Sequence, residues 1–260
     1  MDFRVLGPIE AGPTAQVSGL GTPKQRALLS VLLLNANHIV SVNRLTGMLW
    51  DGPAPRSATA NVYSYVAGVR RLLDSAGDAG RDRLITRMPG YLLRVRSDEL
   101  DLSVFDRLAT QGRAALRRSE HELAADCLSS ALALWRGKPL EDVRVTPALV
   151  APITALEGRR IDALNDLVQA RLRMGLHKEV VGELRELVTT SPISELTWSQ
   201  YMVALYRSGR KGEALGAYLD ARRNLVSQTG VEPSTYLRRV HQAILADAPS
   251  TEVLEHCWRD

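Results

Sequence analysis

Apolar positions along the first third of the chain change their period from element to element. Phe3, Val5 and Ile9 alternate as in a short strand. Ala27, Leu28, Val31, Leu32 and Leu34 then recur at helical spacing behind a capping box, in which Thr22 precedes Pro23 and Gln25 follows three residues later. This first helix is expected to end near Ala36. Ser41 caps a second helix through Val42, Leu45, Met48 and Leu49, which Asp51-Gly52-Pro53 stops. A third helix, over about Arg56–Asp74, carries an inward stripe of Val62, Tyr65/Val66, Val69 and Leu72/Leu73. Gly77–Arg81 reads as a polar loop, and two strands bracket Met88-Pro89-Gly90, with Leu84 leading in and Leu93 and Val95 leading out.

From Asp101 strand patterns stop. Ser103, with Asp106 three residues on, is expected to cap a helix, and helical patterns continue to about Asp247. Shifting the chain by 34 residues aligns Ala170 with Ala204, Arg173 with Arg207 and Gly175 with Gly209. The same shift aligns Glu179 with Glu213, Gly182 with Gly216 and Leu184 with Tyr218. That is the tetratricopeptide period, in which each unit is a helical hairpin stacked on the next; Glu122–Trp135 matches only loosely. The expected fold is therefore mainly α: an N-terminal winged helix-turn-helix, with three helices, a small β-sheet and a wing hairpin, followed by an all-α tetratricopeptide-like bundle. The boundary is set near Arg96–Leu100, giving domains over 1–97 and 98–248 and a mobile tail over 249–260.

The composition, 45% hydrophobic and 24% charged, is that of a soluble globular protein. No apolar run approaches a membrane span, and no basic segment followed by an apolar stretch opens the chain, so a cytoplasmic, nucleoid-associated location is expected. The two cysteines, Cys127 and Cys257, cannot make a disulfide framework. Charge is uneven: residues 1–97 carry +6 and residues 98–260 carry −2. A basic module on a mildly acidic one suits a polyanion-binding head. Only four basic residues are lysine, so arginine abundance reflects base composition and its placement alone is informative.

On the third helix, Arg56 and Ser57 stand at the start, where recognition helices meet base edges, and Ala60, Tyr63 and Ser64 lie on the outer face. Arg70 and Arg71, near the helix end, read as phosphate clamps, and Arg87 beside the hairpin turn is placed to enter a minor groove. Lys24 is a backbone-contact candidate, and Arg83, Arg94 and Arg96 are weaker ones. Gly68 inside the helix is either tolerated or permits close approach of DNA. A solvated polar face remains the plain alternative for the helix, and an ordinary exposed charge for Arg87. No phosphate-binding loop, His-Glu-x-x-His or paired Cys-x-x-Cys occurs and the five histidines are scattered, so no catalytic residue, cofactor or metal is expected.

The order Lys24-Gln25-Arg26-Ala27-Leu28-Leu29, Leu49-Trp50, Arg70-Arg71-Leu72-Leu73 and Pro89-Gly90-Tyr91 resembles the SARP regulators (Streptomyces antibiotic regulatory proteins). Ala131-Leu132-Ala133-Leu134-Trp135-Arg136-Gly137-Lys138-Pro139-Leu140 and Ala204-Leu205-Tyr206-Arg207-Ser208-Gly209-Arg210, followed by Glu213-Ala214-Leu215, are similar to that family's activation domain. The resemblance covers about Phe3–Ala246. It implies an OmpR-type winged helix-turn-helix joined to a bacterial transcriptional activation domain. It also implies binding to direct repeats in promoter DNA near the −35 region, as a homodimer or side-by-side pair, and recruitment of RNA polymerase holoenzyme to an antibiotic or other secondary-metabolite gene cluster. No receiver domain precedes the head, so phospho-aspartate control is not expected. The chain departs from the family at Trp50-Asp51-Gly52, at Ala67-Gly68 and at Pro192-Ile193-Ser194-Glu195-Leu196. A tetratricopeptide-type interaction module, sensing a protein or small ligand, and a repressor that occludes a promoter stand as alternatives. Truncation after Arg96 is expected to leave DNA binding and abolish activation.

Overall fold

The computed structural model describes residues 2–12, 20–75, 80–249 and Val253. It divides into two compact units: Met1–Gln111 with Cys127–Ala163, and Gly112–Asp126 with Leu164–Asp260. The first unit opens with a hairpin, β1 (Asp2–Arg4) paired antiparallel to β2 (Glu10–Gly12). Helix α1 (Pro23–Leu34) begins with the expected capping box: Thr22 Oγ1 accepts from the Gln25 N–H, and Gln25 Oε1 accepts from the Thr22 N–H. It ends at Leu34, two residues before the expected stop, where the Asn35 N–H turns back to the Leu32 and Leu33 carbonyls.

Strand β3 (Val40–Ser41) was not expected as a strand, because two residues carry no alternation to read. Ser41 also caps α2 (Val42–Leu49), its Oγ accepting from the Arg44 N–H at 3.2 Å. Helix α3 (Ala58–Ser75) buries Val62, Val66, Val69 and Leu73, the expected stripe, while Tyr65 and Leu72 are only half-buried. After a one-turn helix α4 (Gly80–Arg83), strands β4 (Leu84–Arg87) and β5 (Gly90–Leu93) form the hairpin. The sheet order is β3-β5-β4, with Ser41 opposite Gly90 and Arg87 opposite Gly90. A Cβ at Gly90 would lie 1.9 Å from the Val40 carbonyl oxygen, so only glycine lets β5 lie against β3. The loop expected over Gly77–Arg81 thus ends in α4; its residues 77–79 fall outside the described set.

Helix α5 (Asp101–Arg117) starts at Asp101, two residues before Ser103, the expected cap. The Val104 N–H already donates to the Leu100 carbonyl at 3.1 Å, and the Asp101 carboxylate is held by partners outside the helix. It accepts from the Val5, Leu6 and Leu102 N–H groups at 2.8–3.0 Å and lies 3.9 Å from Arg136. Burial raises the Asp101 carboxyl above its usual range, against the lowering effect of those amides and of Arg136. After α6 (His121–Leu132), the segment before α7 (Pro147–Arg173) folds back onto the N-terminal hairpin. Arg136 N–H donates to the Leu6 carbonyl and Leu140 N–H to the Val5 carbonyl. Ile9 N–H donates to Asp142 at 2.7 Å, and buried Thr146 donates to the Met48 carbonyl at the end of α2. Trp135 lies edge-on to Phe105 at 5.4 Å, with the Arg160 guanidinium 5.2 Å over its ring. The compact unit therefore extends well past residue 97, the boundary expected from the sequence.

In the second unit, α8 (His177–Thr190), α9 (Glu195–Arg207), α10 (Lys211–Thr229) and α11 (Thr235–Leu245) enclose a core of Leu172, Val180, Leu184, Met202, Leu205, Ala214, Leu237 and Ile244. The 34-residue repeat is visible in the hydrogen bonds. At Gly175 and Gly209, both with φ near +80°, the helix ends by bonds from Gly175 to Leu172 and Leu176 to Arg171, matched by Gly209 to Tyr206 and Arg210 to Leu205. The same pair of bonds closes the helices before Ser119 and Asp247, which take positive φ without being glycine. The α5–α6 hairpin thus uses the same turn, hidden in the sequence by serine at the left-handed position and by the segment inserted before α7. Of the tail over 249–260, only Pro249 and Val253 are described, and Val253 is buried in the core of this unit.

Replacing Asp101 by Ala leaves three buried amides without an acceptor and is expected to cost at least about 2 kcal/mol in urea unfolding, with Asp101→Asn intermediate. A fragment ending at Arg96 loses Asp101, Arg136, Leu140 and Asp142 together. It is expected to unfold at lower urea than the intact chain, so the expectation that it binds DNA unaided requires a folding measurement beside it.

Candidate nucleic-acid interface

Helix α3 has a buried and an open side. The open side carries Thr59, Ala60, Tyr63, Ser64, Ala67 and Arg71, all exposed, with Tyr63 at 53%. These positions recur at helical spacing opposite Val62, Val66 and Val69, so burying the valine stripe forces them outward. Arg56 and Ser57 were expected inside the helix; they lie in the turn before it. The Ser57 carbonyl accepts the first helical bond, from Asn61 N–H at 2.9 Å, and its Oγ accepts from Asn61 Nδ2 at 3.3 Å. Both remain exposed at the helix start.

The wing is tied to α3 by Arg70. Its Nε and Nη2 donate to the Leu84 carbonyl at 2.9 and 2.7 Å, Nη2 also reaches Thr86 Oγ1 at 2.9 Å, and the guanidinium sits 5.9 Å over the Tyr91 ring. Two further links hold the same joint. Asp74 accepts from the Gly80 N–H at 2.7 Å, and a Cβ at Gly80 would lie 2.2 Å from the Arg70 carbonyl oxygen. Beyond the joint, Arg87 and Met88 are exposed at the tip, Met88 at 88%. Arg70, expected as a phosphate clamp, thus spends most of its donors on the hairpin; Arg71 keeps its own, with no hydrogen bond or ion pair to another described residue.

The remaining candidates are less uniform, some bonded to protein and some exposed. Lys24 donates Nζ to the Leu49 carbonyl, the last of α2, and lies 4.9 Å from the Trp50 ring centre. It caps α2 from within the head, a role that its position at the start of α1 did not reveal. Arg83 pairs with Glu99 through two contacts of 2.7 Å, and Arg96 lies 3.4 Å from both Asp98 and Glu99, while Arg94 is exposed. Gly68 is buried and faces α1: a Cβ there would stand 1.9 Å from Gln25 Nε2. The glycine makes room for the side chain of the capping box and is not on the open face.

Glu99 was not singled out in the sequence, since a lone acid next to a domain boundary carries no pattern. It is only 3% exposed and accepts from Arg83 and from the Arg96 N–H at 2.9 Å. The Arg83 hydrogen bond, chiefly, holds its carboxyl down from 4.5 to about 2, against the opposing effect of burial. Thr86 and Gly80, both part of the joint, were likewise not read from the sequence.

A three-helix head with a β-wing, joined to tetratricopeptide-like hairpins, defines a winged helix-turn-helix regulator. Comparison with known proteins agrees. Residues 18–93 match the transcriptional regulatory protein C-terminal family, and residues 100–245 match the bacterial transcriptional activator domain. The chain is 35% identical over 257 residues to regulatory protein DnrI of Streptomyces peucetius, covering 97% of this chain and 94% of that one. It is 32% identical over its full length to transcriptional regulator RedD of Streptomyces coelicolor, of which it covers 75%. A solved structure of Mycobacterium tuberculosis EmbR in complex with a low affinity phosphopeptide superposes with a TM-score of 0.92 at 34% identity, over 98% of this chain and 68% of that one. The chain belongs to the SARP family of transcriptional regulators.

Two outcomes follow from the geometry. Arg70→Ala is expected to speed amide exchange across Leu84–Leu93 and to cost roughly 1.5–3 kcal/mol, the range for a hydrogen bond to a charged group. Glu99 has a lowered folded pKa, so its contribution is complete above about pH 4.5 and is lost as pH falls toward about 2. Over that window the wild type should lose on the order of 3 kcal/mol more than Glu99→Gln in urea titrations.

Proposed function

We propose that this protein is a sequence-specific DNA-binding transcriptional activator of a secondary-metabolite (antibiotic) gene cluster. Its α3 lies in a major groove of promoter DNA, and its wing tip reaches the adjacent minor groove. One observation carries this reading: Arg56, Arg71 and Arg87 are all exposed, and none has a hydrogen bond or ion pair to another described residue. The head's inward arginines, Arg70 and Arg83, are by contrast bonded to protein. Exposed cations with no carboxylate partner among the described residues suit phosphate and groove contacts. The +6 charge of residues 1–97 supports the same reading.

The contact set we infer is Arg56, Ser57, Ala60, Tyr63, Ser64, Arg71 and Arg87, with Arg70 as the strut of the wing and Lys24 as an internal cap. The functional division we propose runs near residue 97, with the DNA reader before it and an activation domain over 98–248 that recruits RNA polymerase holoenzyme. Binding by a side-by-side pair on direct repeats near the −35 region accords with membership of the SARP family. In that division the early part of the activation domain also belongs to the compact unit that contains the reader.

The test is a gel shift of the full chain on promoter regions neighbouring its gene, at several salt concentrations. Arg71→Ala should weaken binding about equally on all sequences and flatten the salt dependence by about one unit of slope. Arg87→Ala should weaken binding most on sites with an A·T-rich, narrow minor groove beside the wing. Wild-type affinity for Arg87→Ala at every salt concentration would overturn the wing assignment.

A further inference from the structure

Between Arg56 and Arg71 the open face of α3 holds no charge. Its outward residues over Ala60–Ala67 are Ala60, Tyr63, Ser64 and Ala67, and every one is exposed. Asn61, the amide-bearing side chain in this stretch, is half-buried, and its Nδ2 is bonded to Ser57 Oγ. No fork of donors, as Arg presents to guanine or Asn and Gln to adenine, is available there. What the stretch offers is two alanine methyl groups, an aromatic ring and two hydroxyls that donate or accept with equal ease. The feature in a major groove that matches a methyl surface is the thymine C5-methyl group, which projects from the base edge and needs no hydrogen bond.

We propose that Ala60 and Ala67 flank a methyl-reading surface, and that this chain selects its operator by contact with thymine methyl groups over the central base pairs of the site. Charged contacts from Arg56 and Arg71 bracket that surface. The inference rests on the reading of α3 as the recognition helix. At about 1.5 Å rise per residue the uncharged stretch is about 10 Å long, or roughly three base pairs. The Ala67-Gly68 pair contributes in two ways. Gly68 turns inward over Gln25, and Ala67 keeps the outer surface low enough for close approach. Tyr63, 53% exposed between the two alanines, adds an apolar ring edge with a hydroxyl at its tip.

The experiment uses the full chain and a randomised duplex library. Bound duplexes are selected and sequenced, and each thymine of the enriched site is then replaced singly by deoxyuracil, which removes only the C5-methyl. The expected result is an enriched site in which one or more central thymines lose about fourfold in affinity on replacement, equivalent to the ~0.8 kcal/mol of one buried methyl group. Ala60→Gly or Ala67→Gly, checked for folding by circular dichroism, should weaken binding to the thymine duplex and add little further loss on the matching deoxyuracil duplex. An enriched site without central thymines, or one indifferent to every deoxyuracil replacement, overturns the methyl reading while leaving the head a sequence-specific reader. Failure to enrich any site overturns the recognition-helix reading and this inference with it.

Discussion

The bond from the Arg70 guanidinium to the Leu84 carbonyl fixes the geometry on which the proposed function depends. It joins half-buried Arg70 of α3 to the start of β4, so helix and wing are tied to each other. A hairpin of two four-residue strands has little stability of its own. Here it is held from both sides. Gly90 allows β3 to pair along one edge, and Arg70, with Asp74 and the close approach at Gly80, anchors the other end. Arg70, expected as a phosphate clamp, is bonded to the hairpin, and its neighbour Arg71 is exposed. The distinction is one of helical phase, about 100° of rotation between adjacent residues.

A second constraint ties the N-terminal hairpin to sequence far downstream. The loop between β1 and β2 has amides and carbonyls that the strand pairing does not use, and those of Val5 and Leu6, with the Ile9 amide, are satisfied by Asp101, Arg136, Leu140 and Asp142. The segment over 136–142 therefore holds the connecting loop of the N-terminal hairpin in place. Such an arrangement makes the stability of the reader depend on residues that belong to the activator-domain match.

Much of this was legible in the sequence where local chemistry decides structure. The capping box at Thr22–Gln25, the cap at Ser41 and the valine stripe of α3 each rest on neighbours within one or two helical turns. The repeat was legible because Gly175 and Gly209 mark the same left-handed turn, while Ser119 and Asp247 conceal it by meeting the same φ without glycine. What the sequence did not reveal were the long-range partners. Lys24 finds the Leu49 carbonyl, Arg83 finds Glu99, Gly68 yields to Gln25 and Asp101 displaces Ser103 as the start of α5, each through a contact that no local pattern encodes. Candidate base contacts were legible from the helix wheel; which arginines stay free was set by the tertiary fold.

The central claim, that α3 and the wing read DNA as a unit, is tested most directly by hydroxyl-radical footprinting and guanine-methylation interference on the promoter regions beside the gene. The account predicts spaced repeats, each with major-groove interference flanked by backbone protection on the side of the wing, and binding that weakens steeply as salt rises. Weak protection spread evenly over any DNA, with no repeat and no groove preference, would contradict it.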